Sequence, residues 1–471
     1  MKPFLNLIFT LLVCNCYIAQ IETQYYEIPR KYKTFQTIET NKGYLTLVYK
    51  HSLLTDEPKP LVDKDKGVVA FNFNTDLRFI SKTEHSADWK QPDGTTRLDT
   101  VVNYRGEPLI LLTSYKQLKQ NLYAISEPNF GNEPKLILEN SWGYKFSKPK
   151  NEEYFLLSVL SGNFKEIFIE MFDKNINKIT SFSVDLSSNK GKFRIDDFLV
   201  LDNKKVLVSV AHSKTVYSEE EFGFYMVDLV TQDFIELAIP TPSSIRITSA
   251  KSIDNDNTIN MSLVYTKESN GMSSGLIDLS FSKSDYHLIS SNIFKFPTEL
   301  NETISSKKFT KNSNRFLSYT RVAEYEENSG RVLVLNQNKA YKTYTHTSTA
   351  NNVQPTVTTT GSSFFSNYII LKTIGTDLVY STSILSSDFN EFGKYSNLVH
   401  FHTVKLNDSL ELYFVEKTKN IIFCVTVDID GNKVTRLIDQ KPANDKLEVS
   451  NSAKGIISVI NNNRLQLYKI E

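Results

Sequence analysis

The stretch from Phe193 to Leu237 constrains the fold more than any other part of the chain. It reads as four short strands in a row: RIDDFLVLDN, KKVLVSVAHS, FGFYMVDLV and DFIEL. Asp202-Asn203 and Thr231-Gln232-Asp233 fall in tight joins, and an acidic loop, Lys214 to Glu221, separates the second strand from the third. A single four-stranded meander cannot bury both of its faces, so it needs neighbours of the same kind.

The rest of the chain supplies them at a spacing of roughly 45–50 residues, the period of propeller blades. Units begin at Phe35, Thr100 and Trp142, then at the opening stretch, and again at Ile245, Lys307, Pro355 and Phe401. The sixth is KKFTKN, RFLSYTRV, GRVLVLN and KTYTHT; the seventh is PTVTTT, NYIILKTI, LVYSTSIL and a weak KYSNL. What remains, LEVSNS, GIISVIN and RLQLYKI, is three strands without a fourth, and Glu22 to Ile28 is a spare strand at the other end. One blade built from both chain ends removes the free edges of an open ring. The expectation is an all-β chain, a β-propeller of repeated four-stranded antiparallel blades closed by both chain ends. Nine units are counted, compatible with seven to nine blades. A two-domain division would cut at Ser348 to Ser363, but threonine is a good strand residue, and the stretch reads as one loop and one strand.

The blades carry no Gly-His and Trp-Asp pair of the WD40 kind, and no paired glycines followed by Tyr and Trp of the kelch kind. Across nearly the whole chain the repeat resembles the β-propeller superfamily at the level of architecture, and it is similar to exported propeller proteins of Bacteroidota. That resemblance implies the fold and brings no activity with it.

Lys+Arg 54 against Asp+Glu 53 leaves a net charge of +1, so no global basic field draws in nucleic acid. Lys2 followed by the apolar run Phe4 to Val13 reads as a signal peptide, cleaved after Ala19. The run is too short for a membrane helix, which needs roughly 20 apolar residues. Residues 1–19 are therefore expected to be a signal and 20–471 a single propeller domain, periplasmic, secreted or on the cell surface. Lipid anchoring through Cys14 or Cys16 is the alternative, against which stand Val13 and Asn15 where a lipobox wants a small residue. After cleavage Cys424 is alone, in the apolar run Ile421-Ile422-Phe423-Cys424-Val425, and reads as a buried small hydrophobe.

Several strings imitate chemistry. Gly271-Met272-Ser273-Ser274-Gly275 matches the G-x-S-x-G nucleophile elbow, but a strand, Leu276-Ile277-Asp278-Leu279, follows where the elbow needs a helix. Asp173-Lys174-Asn175-Ile176-Asn177 and Asp428-Ile429-Asp430-Gly431-Asn432 look like calcium loops but lack the glycine and glutamate of an EF-hand. Both fall between third and fourth strands, as hairpin turns. His400-Phe401-His402 places two imidazoles on one strand face, with no third ligand to complete a metal site. Glu219, Glu220, Glu221 and Glu324, Glu326, Glu327 are acid runs of the kind that is usually solvated, although paired carboxylates also serve glycoside hydrolysis. No metal or other cofactor is expected.

Position discriminates where composition does not. Connections after second and fourth strands share one end of a propeller, and here they are long: His51 to Asp65, Lys214 to Glu221, Lys267 to Ser274 and Glu324 to Ser329. The joins His85 to Arg97 and Glu139 to Tyr144 belong to the same end and hold the chain's only two tryptophans, Trp89 and Trp142. Functional loops gather on one rim of a rigid scaffold. The candidate binding residues are Trp89, Trp142, His212, Glu219, Glu220 and Glu221. The expected function is an exported, non-enzymatic propeller that binds a protein or glycan partner through this end. The alternatives are a glycan-active hydrolase or lyase working in the central funnel, and a structural part of a cell-surface assembly.

Overall fold

The computed structural model describes residues 21–22, 25–28, 32–50, 61–62, 68–85, 95–116, 119–126, 134–141, 144–160, 166–185, 192–201, 204–213, 220–242, 245–266, 274–296, 315–327, 330–341, 343–349, 352–358, 362–374, 377–384, 398–406, 409–416, 420–441, 446–449, 455–461 and 463–469. Alternating β-branched and aromatic residues make strands, and the described residues form strands and turns without a helix. Blade 1 comprises Tyr32–Thr40, Gly43–Lys50, Val68–Phe73 and Phe79–His85; blade 2, Thr95–Tyr104, Glu107–Lys116, Lys119–Ser126 and Lys135–Ser141. Blade 3 is Tyr144–Ser147, Phe155–Leu160, Glu166–Phe172 and Lys178–Asp185, and blade 4 is Lys192–Val200, Lys205–Ser213, Glu220–Asp228 and Phe234–Glu236. Blade 5 takes Arg246–Asp254, Thr258–Thr266, Gly275–Ser282 and Leu288–Lys295; blade 6, Arg315–Glu327, Gly330–Tyr341, Ser362–Ile374 and Asp377–Ile384. Blade 7 is Leu398–Lys405, Ser409–Glu416, Ile421–Asp428 and Lys433–Gln440. First strands of neighbouring blades touch one another, so they line the axis. Fourth strands are mostly exposed and form the rim.

Blade 8 joins the two chain ends. Its first three strands are Lys446–Val449, Ile456–Asn461 and Arg464–Lys469, and the outer place is filled by Ile21–Glu22 and Tyr26–Glu27. Ile21 pairs with Lys469 and Tyr26 with Leu465, and the Ile28 amide donates to the Asn463 carbonyl at 2.7 Å. Tyr26 also reaches blade 1: its ring lies 5.3 Å from Phe73, and its hydroxyl accepts from the Phe79 amide at 3.1 Å.

Each sheet buries both faces against its neighbours, and the core is accordingly divided into eight apolar clusters, one per blade–blade junction. The cluster of Ile28, Tyr44, Phe71, Ile456 and Leu467 seals blade 8 to blade 1. Cys424 is fully buried in the junction of blades 7 and 8, and burial pushes its thiol up.

The ring has eight blades, one fewer than the nine units counted, because the sixth and seventh units are one blade. Between its second and third strands blade 6 carries an inserted hairpin, Thr343–Thr349 and Asn352–Thr358, whose alternation looks like two further blade strands. The stretch 348–363, expected as one loop and one strand, thus holds parts of two hairpin strands and the start of the next blade strand.

Two series of register shifts repeat around the ring. In six first strands one extra residue stands opposite the second strand: Phe35, Asp99, Asp196, Thr248, Val322 and Phe401. Such bulges re-aim side chains, and the residues at or beside them tie one inner strand to the next. Gln36 brackets Val101 with two hydrogen bonds of 2.8 and 3.0 Å, Asp99 accepts from Tyr144, and Asp197 holds Ser252 N and Lys251 Nζ at 2.7 Å. In six outer strands an extra residue is a β-branched aliphatic one, Ile80, Ile137, Ile179, Ile289, Val379 and Ile438, and the outer strand of blade 2 shifts a second time between Leu138 and Ser141. A bulge twists an edge strand away from further pairing, so these six rims are guarded. Blade 4 has no such shift in its outer pairing.

Removing the closing segment tests this architecture. Deleting residues 21–28 opens blade 8 and is expected to lower the melting temperature by many degrees; Ile28→Ala alone is expected to cost about 2–5 kcal/mol. Calorimetric melting curves superimposable on those of the intact chain would refute closure by the N-terminal segment.

Candidate functional site

Neighbouring strands within a blade run antiparallel, so second-to-third connections and the joins between blades share one end of the ring. That end is elaborated. Between Lys50 and Val68 the chain adds Leu61–Val62 as a fifth strand on the inner edge of blade 2, with Leu61 opposite Arg97. Blade 6 extends toward the same end through strands of 12 and 13 residues and its inserted hairpin.

The opposite end is made of short turns whose polar groups serve the turns themselves. Asp173 Oδ1 accepts from Asn175 N at 2.8 Å and Asn177 N at 2.7 Å, and Asp428 Oδ1 from Asp430 N at 3.0 Å and Asn432 N at 2.8 Å. The side-chain bond from Asn432 to Asp428, with backbone bonds, holds that carboxyl below the usual carboxylate range. Backbone bonds from Thr231 and Val230 do the same for Asp228. The two calcium-like strings are thus hairpin turns, and among the described residues no cluster of His, Cys, Asp and Glu could hold a metal. Gly275 opens a strand, Gly275–Ser282, so the described end of the G-x-S-x-G string leads into no helix; Gly271, Met272 and Ser273 lie outside the described residues.

At the elaborated end, blade 4 brings together His212, Glu221, Gly223 and Tyr225. Glu221 stands opposite His212 and Gly223 opposite Val210, so these residues share the face that meets blade 3. His212 is 2% exposed, with Nε2 3.4 Å from the Tyr225 hydroxyl, whereas Glu221 is exposed. Gly223 makes this packing possible: a Cβ there would lie 2.7 Å from Tyr225 Oη and 3.0 Å from His212 Nε2. Burial, with the nearby Glu236 charge, pushes the Tyr225 phenol up to about 12. It therefore remains protonated at neutral pH and serves as a hydrogen-bonding group. A glycine interrupting an aromatic strand, as in FGFYMV, is the sequence signal for such close packing.

Of the six candidate residues, Trp89, Trp142 and Glu219 lie outside the described residues. The strands that flank the two tryptophans, Phe79–His85 with Thr95–Tyr104 and Lys135–Ser141 with Tyr144–Ser147, end and begin at the elaborated end. Glu220 and Glu221, expected in a loop, already belong to the third strand of blade 4, because the ladder to Ser213 and His212 continues through them. Glu324, Glu326 and Glu327 lie in the first strand of blade 6, beside a turn at the short-turn end. They leave the long-loop group because KKFTKN, expected as the first strand and outside the described residues, had made RFLSYTRV a second strand, whereas it is the first.

His400 and His402 do not share a strand face. The bulge at Phe401 pairs His400 with Phe414 and His402 with Tyr413, which are successive residues and therefore opposed. The His400 ring packs 5.8 Å from Tyr368 and 5.5 Å from Phe414, with Nε2 2.7 Å from Thr403 Oγ1; the His402 ring lies 5.8 Å from Tyr413 on the other side.

Neither a protein-family model nor a curated protein matches the chain in sequence. Similar solved structures include the Dos1 propeller, at 7% identity over 94% of this chain and 96% of that one with a TM-score of 0.46. A structure of prolyl endopeptidases matches at 9% identity over 93% of this chain and 55% of that one, TM-score 0.45, so the chain spans about half the length of those proteins. The polysaccharide lyase Uly1 matches at 8% identity over 95% and 100%, TM-score 0.41. At these identities and scores, what those proteins act on says nothing about this one.

Two measurements follow from this geometry. Gly223→Ala is expected to destabilise by about 1–3 kcal/mol through overpacking, read by urea unfolding; no change would mean that the Tyr225 and His212 rings do not hold their places. Burial also holds the His400 imidazole at about 4, below its ordinary 6.5. Between these values the unfolded chain takes up a proton that the folded state refuses, so stability falls as pH drops from 6.5 to 4, by about 3 kcal/mol from this group. His400→Gln should flatten that part of the stability-against-pH curve; an unaltered curve would count against a buried neutral His400.

Proposed function

We propose that this protein is an exported, non-enzymatic binding propeller that holds a protein or glycan partner at the elaborated end of its ring. The observation that supports this reading most is the contrast between the two ends. At the short-turn end carboxylates and amides are spent on their own turns. At the other end, one connection lends a strand to the next blade and another grows a two-stranded hairpin. A four-stranded blade does not need such additions, and rigid scaffolds carry recognition on such elements. Trp89, Trp142 and Glu219 to Glu221 belong to the same end in chain order, and binding anchors are commonly aromatic residues. Export rests on the signal-like start, with the mature chain beginning near Gln20 in the periplasm or at the cell surface. Among the described residues no helix is long and apolar enough to cross a membrane.

Binding to immobilised envelope proteins and glycans tests the reading. Replacing residues 343–358 by a Gly-Ser turn, or Trp89 by Ala, is expected to weaken capture at least about tenfold while the melting temperature stays within a few degrees, a truncated anchor contributing roughly 2 kcal/mol or more. Glu221→Ala should act mainly on the on-rate and its salt dependence. Retention by both variants at full strength would reject the elaborated end, and turnover of a glycan substrate would favour the hydrolase or lyase alternative. Mass spectrometry of the exported form should find the chain without residues 1–19 and without acyl groups.

A further inference from the structure

Blade 4 differs from the other blades at its rim. Its third strand has nine residues, Glu220–Asp228, but its outer strand has three, Phe234–Glu236, paired only with Tyr225, Met226 and Val227. One further bond, Leu237 N to the Phe224 carbonyl at 2.8 Å, ends the ladder. Continued in register, Ile239 would come opposite Phe222 and Thr241 opposite Glu220. Instead the Thr241 amide donates to the Ile239 carbonyl at 2.8 Å around Pro240. That tight turn, which suits the fixed φ of proline, consumes the two groups that the ladder needed.

Among the described residues the third strand is left with one bare edge. Backbone groups of an antiparallel strand alternate between its two neighbours. The Asp228 amide and the Phe224 carbonyl both bond toward the outer strand, and the Leu229 amide bonds inward to Lys204. By this alternation the N–H and C=O of Phe222 and of Glu220 face outward as well. Among the described residues no strand lies along Glu220–Phe224 on that side. The strand itself is held in place, because its other edge is paired from Ser213 to Lys205 and the Phe222 side chain packs on the junction of blades 4 and 5. The remaining outer strands of blades 1 to 7 have seven or eight residues and a bulge, whereas this edge has no outward bulge. Acidic residues accompany it: Glu221 and Glu236 are exposed, and in sequence Glu221 follows Glu219 and Glu220.

We propose that the outer edge of Glu220–Phe224 is a strand-addition site for an extended, basic segment of a partner protein. The segment completes the outer place of blade 4 at the elaborated end, its backbone bonding to Phe222 and Glu220 while Lys or Arg side chains meet the acidic run. Main-chain bonds give such a site affinity and alternate side chains give it selectivity. The receiving strand needs no ordering, which lowers the entropic cost of binding. The proposal rests on the binding role of the elaborated end and names the chemistry of its partner.

The test uses the mature chain and an acetylated, amidated Lys-Val-Lys-Val-Lys-Val peptide, with a second peptide N-methylated at alternate amides. The unmodified peptide is expected to bind and to slow amide exchange across residues 220–226, measured by hydrogen-exchange mass spectrometry. N-methylation should weaken it at least about tenfold, because two or more backbone bonds are lost. The double variant Glu220→Lys, Glu221→Lys should weaken it comparably, with an unchanged melting curve showing that the ring is intact. Equal binding of both peptides, unchanged exchange at 220–226 with peptide bound, or no binding at all would overturn the proposal. Binding that is lost in Trp89→Ala while exchange at 220–226 never changes would overturn it too, yet leave the elaborated end as the binding face.

Discussion

Everything in this molecule depends on sheets packing on sheets. No blade has a core of its own; each of the eight apolar clusters is shared between two neighbours, so a blade is stable only while both are present. The ring therefore has to close, and it closes with few residues. Two dipeptides and Ile28 complete blade 8, and Tyr26 carries the contact on to Phe73 and Phe79 of blade 1.

Polar groups refine the packing. Two buried carboxylates are paired across blades, Asp197 with Lys251 and Asp278 with Arg331 at 3.0 Å. Leaving one such partner unpaired costs more than the pair contributes, so these links help fix how neighbouring blades face one another. The two bulge series divide the labour. Those near the axis aim side chains at the next blade, and those at the rim lift an isoleucine or valine out of the edge. Half-exposed Ile80, Ile179, Ile289 and Val379 are thus features of edge protection. Blade 4 lacks that protection where its outer strand is cut short.

Much of the architecture was legible in the chain. Strand alternation, the period of the units and the missing fourth strand at the C-terminus led to a ring sealed by Glu22 to Ile28. The miscount came from Thr343–Thr358, where a hairpin insertion has the same period-two pattern as a blade, and nothing local separates a strand within a blade from one that decorates it. Counting KKFTKN as a first strand placed Glu324 to Ser329 at the wrong end of the ring, because RFLSYTRV is itself the first strand. The paired histidines failed for a related reason: strand parity assumes an unbroken register, and a bulge at Phe401 reverses it. In the candidate site, His212 and the glutamates were chosen for their type and position, while Gly223 and Pro240 do the arranging.

By itself the sequence determined that this chain makes strands, in repeated groups of about four, that its two termini belong to one sheet, and that its turns at one end are short. These follow from residue type and spacing, which act over a few neighbours. Only the tertiary structure decided the number of blades, the face on which each histidine lies, the partners of each buried charge, and the bare edge at Phe222. Each of these depends on register between strands, and register is set by the packing of whole sheets, where one inserted residue reverses every side chain that follows it.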